Sequence, residues 1–169
     1  MLKKNSEGEY TFEKPRVVCD VQKLNSILVV DDRQQLPLIS SIHERIGNKT
    51  IHTFLDIHAC FTSFSIASAD TYKISFTCPF TNIQYSHLKA AYGIKHVGSV
   101  VTRTLQTLIT DLNRSNALSS DGNWSAICYV DDIVLSTVGS LQDHFELVSE
   151  VIKRLTNANL MLNPEKVVQ

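Results

Sequence analysis

Several kinds of protein are set aside by what this sequence lacks. Its four cysteines, Cys19, Cys60, Cys78 and Cys128, form no Cys-x-x-Cys pair and have no histidine nearby at zinc-ligand spacing. Free thiols in a reducing compartment are therefore the better reading than a zinc site or a disulfide framework. No apolar run approaches the roughly 18 residues of a membrane helix. The first nine residues, Met1 to Glu9, are charged and hold no apolar core, so no signal peptide is expected and no membrane partner. An intracellular protein is the resulting expectation. An excess of one charge is missing too: the formal net charge is −1, so any polyanion would need a local basic surface or help from other segments. There is no internal repeat, linker or low-complexity tract. With 43% apolar and 20% charged residues, the 169-residue chain reads as one globular domain with a sizeable core.

What is present centres on Ile127-Cys128-Tyr129-Val130-Asp131-Asp132-Ile133-Val134-Leu135-Ser136. Two runs rich in β-branched and apolar residues flank two adjacent aspartates. The pattern predicts strand, tight turn, strand, with both carboxylates at the hairpin tip. Adjacent carboxylates repel unless water, a basic group or a cation screens them, which leaves a plain solvated turn and a divalent-metal site both open.

Around the hairpin, Asn5-Ser6-Glu7-Gly8 is a turn between Leu2–Lys4 and Tyr10–Phe12, and Arg16–Val21 reads as a strand. Leu36-Pro37 opens a helix with Ile39, Ile42 and Ile46 on one face, stopped at Gly47-Asn48. Thr53–Ile57 is a short strand ending near Asp56, and Tyr72–Thr77 alternates as a half-buried strand before Pro79. From Gly98 to Leu112 the positions Val101, Leu105, Leu108, Ile109 and Leu112 recur at helical spacing. Ser115–Asn123 is a polar loop. Ser140, with Asp143 three residues on, caps a helix whose stripe is Leu141, Phe145, Val148, Ile152 and Leu155, ending at Asn157 or Asn159. Leu160–Leu162 is a last strand before Asn163-Pro164. The fold class is α/β (α+β).

Asp56 strengthens the metal reading. If its strand neighbours the hairpin, Asp56 and Asp131 can share ions, and two divalent ions roughly 4 Å apart are a usual clamp for phosphoryl transfer. Tyr129-Val130-Asp131-Asp132 resembles the Y-x-D-D signature of reverse transcriptases, and its surroundings resemble those of gypsy-type LTR retrotransposons. Arg16 to Asn25 is similar to the fingers segment R-x-x-x-D-x-R-x-L-N, and Leu36-Pro37-Leu38-Ile39 to the L-P-x-I that follows. Phe54 to Phe61 resembles the first catalytic motif, Tyr92-Gly93-Ile94-Lys95 the F-G-L-K motif, and Leu162 to Lys166 the L-N-P-E-K after the palm helix. The blocks are colinear over nearly the whole chain.

The resemblance implies a palm-type polymerase fold, an antiparallel sheet packed on helices. Residues 1–50 would be partial fingers and 51–169 mainly palm, with a fingers segment at about 66–95. Thumb and RNase H would lie outside this fragment. It implies RNA-directed DNA polymerase activity with two Mg2+ ions, Mn2+ substituting, on an RNA or DNA template-primer with deoxynucleoside triphosphates. The rest of a Pol polyprotein (thumb, RNase H, integrase) would be its partner. It assigns Asp56, Asp131 and Asp132 to catalysis and metal, joined by the Ile57 backbone carbonyl. Lys166 becomes the acid that protonates pyrophosphate, and Arg16, with Lys3 or Lys4, the triphosphate contact. Phe61 becomes the bulk that excludes a 2′-hydroxyl, with Gly93 and Tyr129 completing the nucleotide side. Cytoplasm, a retroelement particle or the nucleus would be its place.

Read without the resemblance, Phe61 is a core residue, Arg16 and Lys166 are solvated charges, Gly93 is a turn glycine, and His58 and His96 are surface or satisfied histidines. The sequence departs from the family pattern at Gln22, where arginine is usual, and over Gly98, Val101 and Thr102, where proline, phenylalanine and glutamine are. These departures keep a second reading open: a remnant or co-opted binding module that does not polymerise. A carboxylate-rich calcium or phosphate-signalling domain is a third, but a hairpin after the long helix does not suit its parallel βα units.

Overall fold

The computed structural model describes residues 3–4, 8, 10–11, 18–29, 36–114, 123–164 and 167. In chain order its elements are β1 (Lys3–Lys4), β2 (Tyr10–Thr11), α1 (Gln22–Ile27), α2 (Ile39–Ile46), β3 (Ile51–Asp56) and α3 (Cys60–Ser63). A 3-10 helix (Ser68–Ile74) leads to β4 (Ser75–Thr77) and β5 (Gln84–Ser86); then come α4 (Val97–Arg114), β6 (Trp124–Tyr129), β7 (Asp132–Thr137) and α5 (Leu141–Asn157). The central sheet is antiparallel in the order β3-β7-β6, and β1-β2 and β4-β5 are separate antiparallel pairs.

Strand periodicity sorts the central sheet into two faces. Leu55, Ile133, Leu135, Ala126 and Cys128 face Val101, Leu105, Ile109 and Leu112 of α4 and Leu147, Val151 and Leu155 of α5 in one buried cluster. On the other face stand His52, Phe54 and Asp56 of β3, opposite Ser136, Val134 and Asp132 of β7.

The expected hairpin at residues 3–11, the strand before Asp56 and the helix from Gly98 are borne out, the last beginning one residue earlier. Other elements differ. Val18–Val21 form no strand, because the Asp20 carboxylate accepts the Gln22 N–H at 3.0 Å and turns the chain into α1. Tyr72–Thr77 is strand only from Ser75. Before it, the Thr71 hydroxyl donates to the Ser68 carbonyl, the Ser75 hydroxyl donates to the Tyr72 carbonyl, and Lys73 pairs with Asp70, all of which favour a tight helical turn. Leu160–Leu162 makes one bridge, Leu162 to Ile57, and not a strand. The Ser115–Asn123 loop lies outside the described residues but for Asn123.

The stripe of α5 is corrected as well. His144, Leu147, Val148, Val151 and Leu155 are buried, whereas Leu141, Phe145 and Ile152 are exposed. Both sets have helical spacing, and only docking on β7 selects between them. The expected cap is present: the Ser140 hydroxyl accepts the Asp143 N–H, and the Asp143 carboxylate accepts the Ser140 N–H and hydroxyl, which holds that carboxyl below its ordinary value. Ser140→Ala is expected to lower stability by about 1 kcal/mol, read as a shifted denaturant midpoint.

His144 is the polar member of that buried stripe. Its Nε2 is 2.7 Å from the Thr53 hydroxyl and its Nδ1 2.9 Å from the Thr137 hydroxyl, so a neutral imidazole can serve both. Burial first, and His52 second, hold its pKa below the ordinary 6.5. The unfolded chain then binds more protons near and below that value, so stability falls as pH drops from about 6.5 toward the lowered folded pKa. A lower melting temperature at about pH 5 than at about pH 7 is expected, with a flatter dependence in His144→Gln.

Candidate active site

β6 ends at Tyr129 and β7 begins at Asp132, and these two are register partners, so the turn consists of Val130 and Asp131 alone. The two aspartates are therefore not side by side at the tip, as the sequence suggested. Asp131 occupies the turn, while Asp132 is the first strand residue, exposed and directly opposite Asp56 on β3. Val130 takes a φ of +59°, which costs a β-branched side chain roughly 1–2 kcal/mol. The tight turn thus spends backbone strain at the point that aims Asp131.

Asp131 and Asp56 line an open cleft of about 1160 Å3, together with Ile57, Cys60, Asp20, Val21, Asn25, Tyr92 and Gly93. The Cys60 thiol is pushed up to about 12, by burial first and then by the negative charges of Asp131 and Asp56. Cys60 lines the same cleft as both carboxylates. Without a bound cation Cys60 stays a protonated thiol at neutral pH and is a poor nucleophile.

This donor set fits a hard divalent cation better than a protein-only cage. Among the described residues no group of three or more His, Cys, Asp and Glu side chains stands close enough to hold a metal. Magnesium, however, is commonly held by one or two carboxylates together with substrate phosphates and water. The Ile57 carbonyl fits as a further oxygen: the bridge to Leu162 runs from the His58 N–H to the Met161 carbonyl and from the Asn163 N–H to the Asp56 carbonyl, and does not use it.

Of the other expected residues, Gly93 lines the cleft with a φ of +96°, and an added Cβ would stand 3.4 Å from Val21 Cγ2. Phe61 is half-buried and does not line the cleft; its ring lies 5.3 Å from that of Tyr92, which does. Tyr129 is not among the residues that line the cleft; it is the register partner of Asp132, on the sheet face that also carries Asp56. Arg16 and Lys166 lie outside the described residues. His58 is exposed, and His96 keeps a buried Nε2 without a hydrogen-bond partner, so it is not the satisfied histidine expected.

Sequence reasoning gave no role to Asn25, which joins two segments of the cleft wall. Its Nδ2 donates to the Gly93 carbonyl at 2.8 Å and its Oδ1 accepts the Lys95 N–H at 2.9 Å. The signal was its place at the end of the fingers-like block, but only folding brings it to Gly93. Asp20 and Tyr92 were quoted for their motifs alone, and both prove to line the cleft.

A family model described as "Reverse transcriptase (RNA-dependent DNA polymerase)" matches residues 2–169. Among curated relatives, the Transposon Tf2-3 polyprotein of Schizosaccharomyces pombe (strain 972) is 29% identical over 151 residues, covering 89% of this chain and 10% of the polyprotein. The Tf2-7 polyprotein of the same organism is 28% identical over the same share. The chain thus spans about a tenth of the length of these relatives. Among solved structures, a Prototype Foamy Virus Protease-Reverse Transcriptase has a similar fold, with a TM-score of 0.75 at 20% identity over 98% of this chain and 20% of that one.

Proposed function

The chain belongs to the reverse transcriptase (RNA-dependent DNA polymerase) family, and from that membership we propose that its cleft performs templated nucleotidyl transfer onto a primer 3′-hydroxyl. The observation that carries the proposal is the shared cleft of Asp56, at the end of β3, and Asp131, in the turn between β6 and β7. Bound Mg2+ ions, with Mn2+ as a substitute, would supply activation of the attacking hydroxyl and stabilisation of the leaving pyrophosphate. Asp56, Asp131 and the Ile57 carbonyl would hold them, with Asp132 beside them on β7, opposite Asp56.

The remaining roles follow from position. Gly93 and Tyr92 form the wall against which a nucleotide would lie, and Phe61 backs Tyr92, so it acts on the sugar side through that ring. Asn25 holds the Gly93–Lys95 segment in place. Arg16 and Lys166 are assigned to triphosphate binding and pyrophosphate protonation on their motif positions. Residues 1–50 and about 66–95 act as fingers and the rest as palm, inside the cell, with thumb, RNase H and integrase segments of a polyprotein as partners.

A primer-extension assay on an RNA template with Mg2+ or Mn2+ tests the reading: labelled primer grows by deoxynucleotides in the wild type. Absence of incorporation at every protein concentration favours the second reading, a non-catalytic binding module. One observation supports that alternative. Thr102, where the family has glutamine, is buried and its hydroxyl donates back to the Gly98 carbonyl at 2.9 Å, so this turn of α4 offers no side chain outward there.

A further inference from the structure

The central sheet has one uncovered edge. In the order β3-β7-β6, the β6 side is packed by α2, whereas residues 51–55 of β3 have no strand on their outer side among the described residues. The segment around Leu162 comes alongside only past this stretch, where the Asn163 N–H donates to the Asp56 carbonyl. Exposed edges usually carry a lysine, a proline or a bulge that stops a further strand from pairing. This one reads Ile51-His52-Thr53-Phe54-Leu55 and runs in unbroken register with β7. An apolar flank of α5 overhangs it. The helix packs on β7 and β3, and the Arg154 guanidinium donates to the Leu108 carbonyl at 3.2 Å, which fixes α4 on one side of α5. At about 3.6 residues per turn, Leu141, Phe145 and Ile152 stand on the opposite side. Leu141 is 64% and Phe145 51% exposed there.

Both features ask for the same occupant. A lone strand would satisfy the β3 edge and leave the α5 flank bare, and a lone helix would do the reverse. A second copy supplies both. Strands pair about 4.8 Å apart, and α5 is seated over β7 and β3. Joining two copies by antiparallel β3 strands therefore sets the two α5 axes about two strand spacings apart, roughly 9.5 Å. Packed helices stand about 8–10 Å apart, so the two flanks meet without rearrangement. The Thr53 hydroxyl lies 2.7 Å from His144 Nε2, which holds Phe145 level with the middle of the uncovered stretch, beside the two-fold axis. The net charge is −1 and residues 51–55 hold no lysine, arginine, aspartate or glutamate, so little repulsion opposes the pairing.

We infer that this chain pairs with a second copy of itself through β3 and α5, in a two-fold dimer that merges two three-stranded sheets into one. The inference does not rest on the polymerase reading, and its test needs neither metal nor nucleic acid. Sedimentation equilibrium of the full chain over a range of concentrations is expected to show monomer and dimer in exchange. Phe145→Glu sets a charge beside the axis and raises the dissociation constant about tenfold or more, with an unchanged circular dichroism spectrum. Phe80→Glu, which removes a more exposed ring from the turn between β4 and β5, leaves the constant near the wild-type value. Should Phe145→Glu fail to fold, Leu141→Glu carries the same expectation. Hydrogen exchange reads the strand pairing: outward amides of residues 51–55 gain protection as concentration rises, and lose that gain in the glutamate variant. A monomer at every concentration, or a dimer that neither glutamate variant of α5 weakens, overturns the inference. So does a dimer whose β3 amides exchange as fast as in the monomer, since β3 would then be unpaired. Failed primer extension by a chain that still dimerises in this way removes the polymerase reading and leaves the dimer standing.

Discussion

Asp131→Asn is expected to reduce primer extension by about a thousandfold or more while leaving the denaturation midpoint near that of the wild type. The amide has the volume of the carboxyl and is at home in a turn, so the hairpin survives. What goes is one of the charged oxygen donors that line the cleft beside the Ile57 carbonyl. Asp56→Asn should fall as far, because it removes the donor that β3 brings to the same place. Asp132→Asn should fall less, about tenfold, because Asp132 stands beside Asp56 on the neighbouring strand and is not among the residues that line the cleft. Equal loss in all three variants would mean that Asp132 turns into the site when substrate binds, contrary to the geometry described. Single-turnover extension with Mg2+ is the suitable measurement, since it reads chemistry apart from product release.

Leu135→Ala is expected to destabilise the chain by about 3 kcal/mol, and Phe54→Ala by less than about 1 kcal/mol. Leu135 lies on β7 at 0% exposure among residues of α4 and α5, where truncation leaves a cavity that packed helices cannot close. Phe54 is the larger side chain and lies on the adjacent strand, but it sits on the opposite face and is 47% exposed. Urea denaturation followed by Trp124 fluorescence separates the two. Comparable losses would show that the outer face of the sheet is covered as well as the inner one.

Much of this architecture was legible in the order of residues. The hairpin around Asp131, the strand before Asp56 and the α4 stripe each have one periodicity and clear punctuation, so local pattern and tertiary fold agree. The Ser140 cap was readable for the same reason: its partner Asp143 is three residues away. Reading failed where two local solutions compete. On α5 the stripe through Leu141, Phe145 and Ile152 and the stripe through Leu147, Val151 and Leu155 are equally apolar, and the choice is made by β7. At Tyr72–Ile74 an alternating pattern lost to side-chain bonds within the same turn.

By itself, then, the sequence determined which carboxylates are available and which strands carry them, because strand periodicity and turn length are local properties of the chain. Only the tertiary structure decided how the carboxylates divide. A two-residue turn closed by the Tyr129–Asp132 pair puts Asp131 and Asp132 in different backbone settings, and register with β3 sets Asp132, not Asp131, opposite Asp56. It also brought Asn25 to Gly93, across 68 positions of chain, and left Leu141 and Phe145 on an open face. Neighbours so far apart in sequence are joined by packing between elements, and no local pattern encodes which elements will meet.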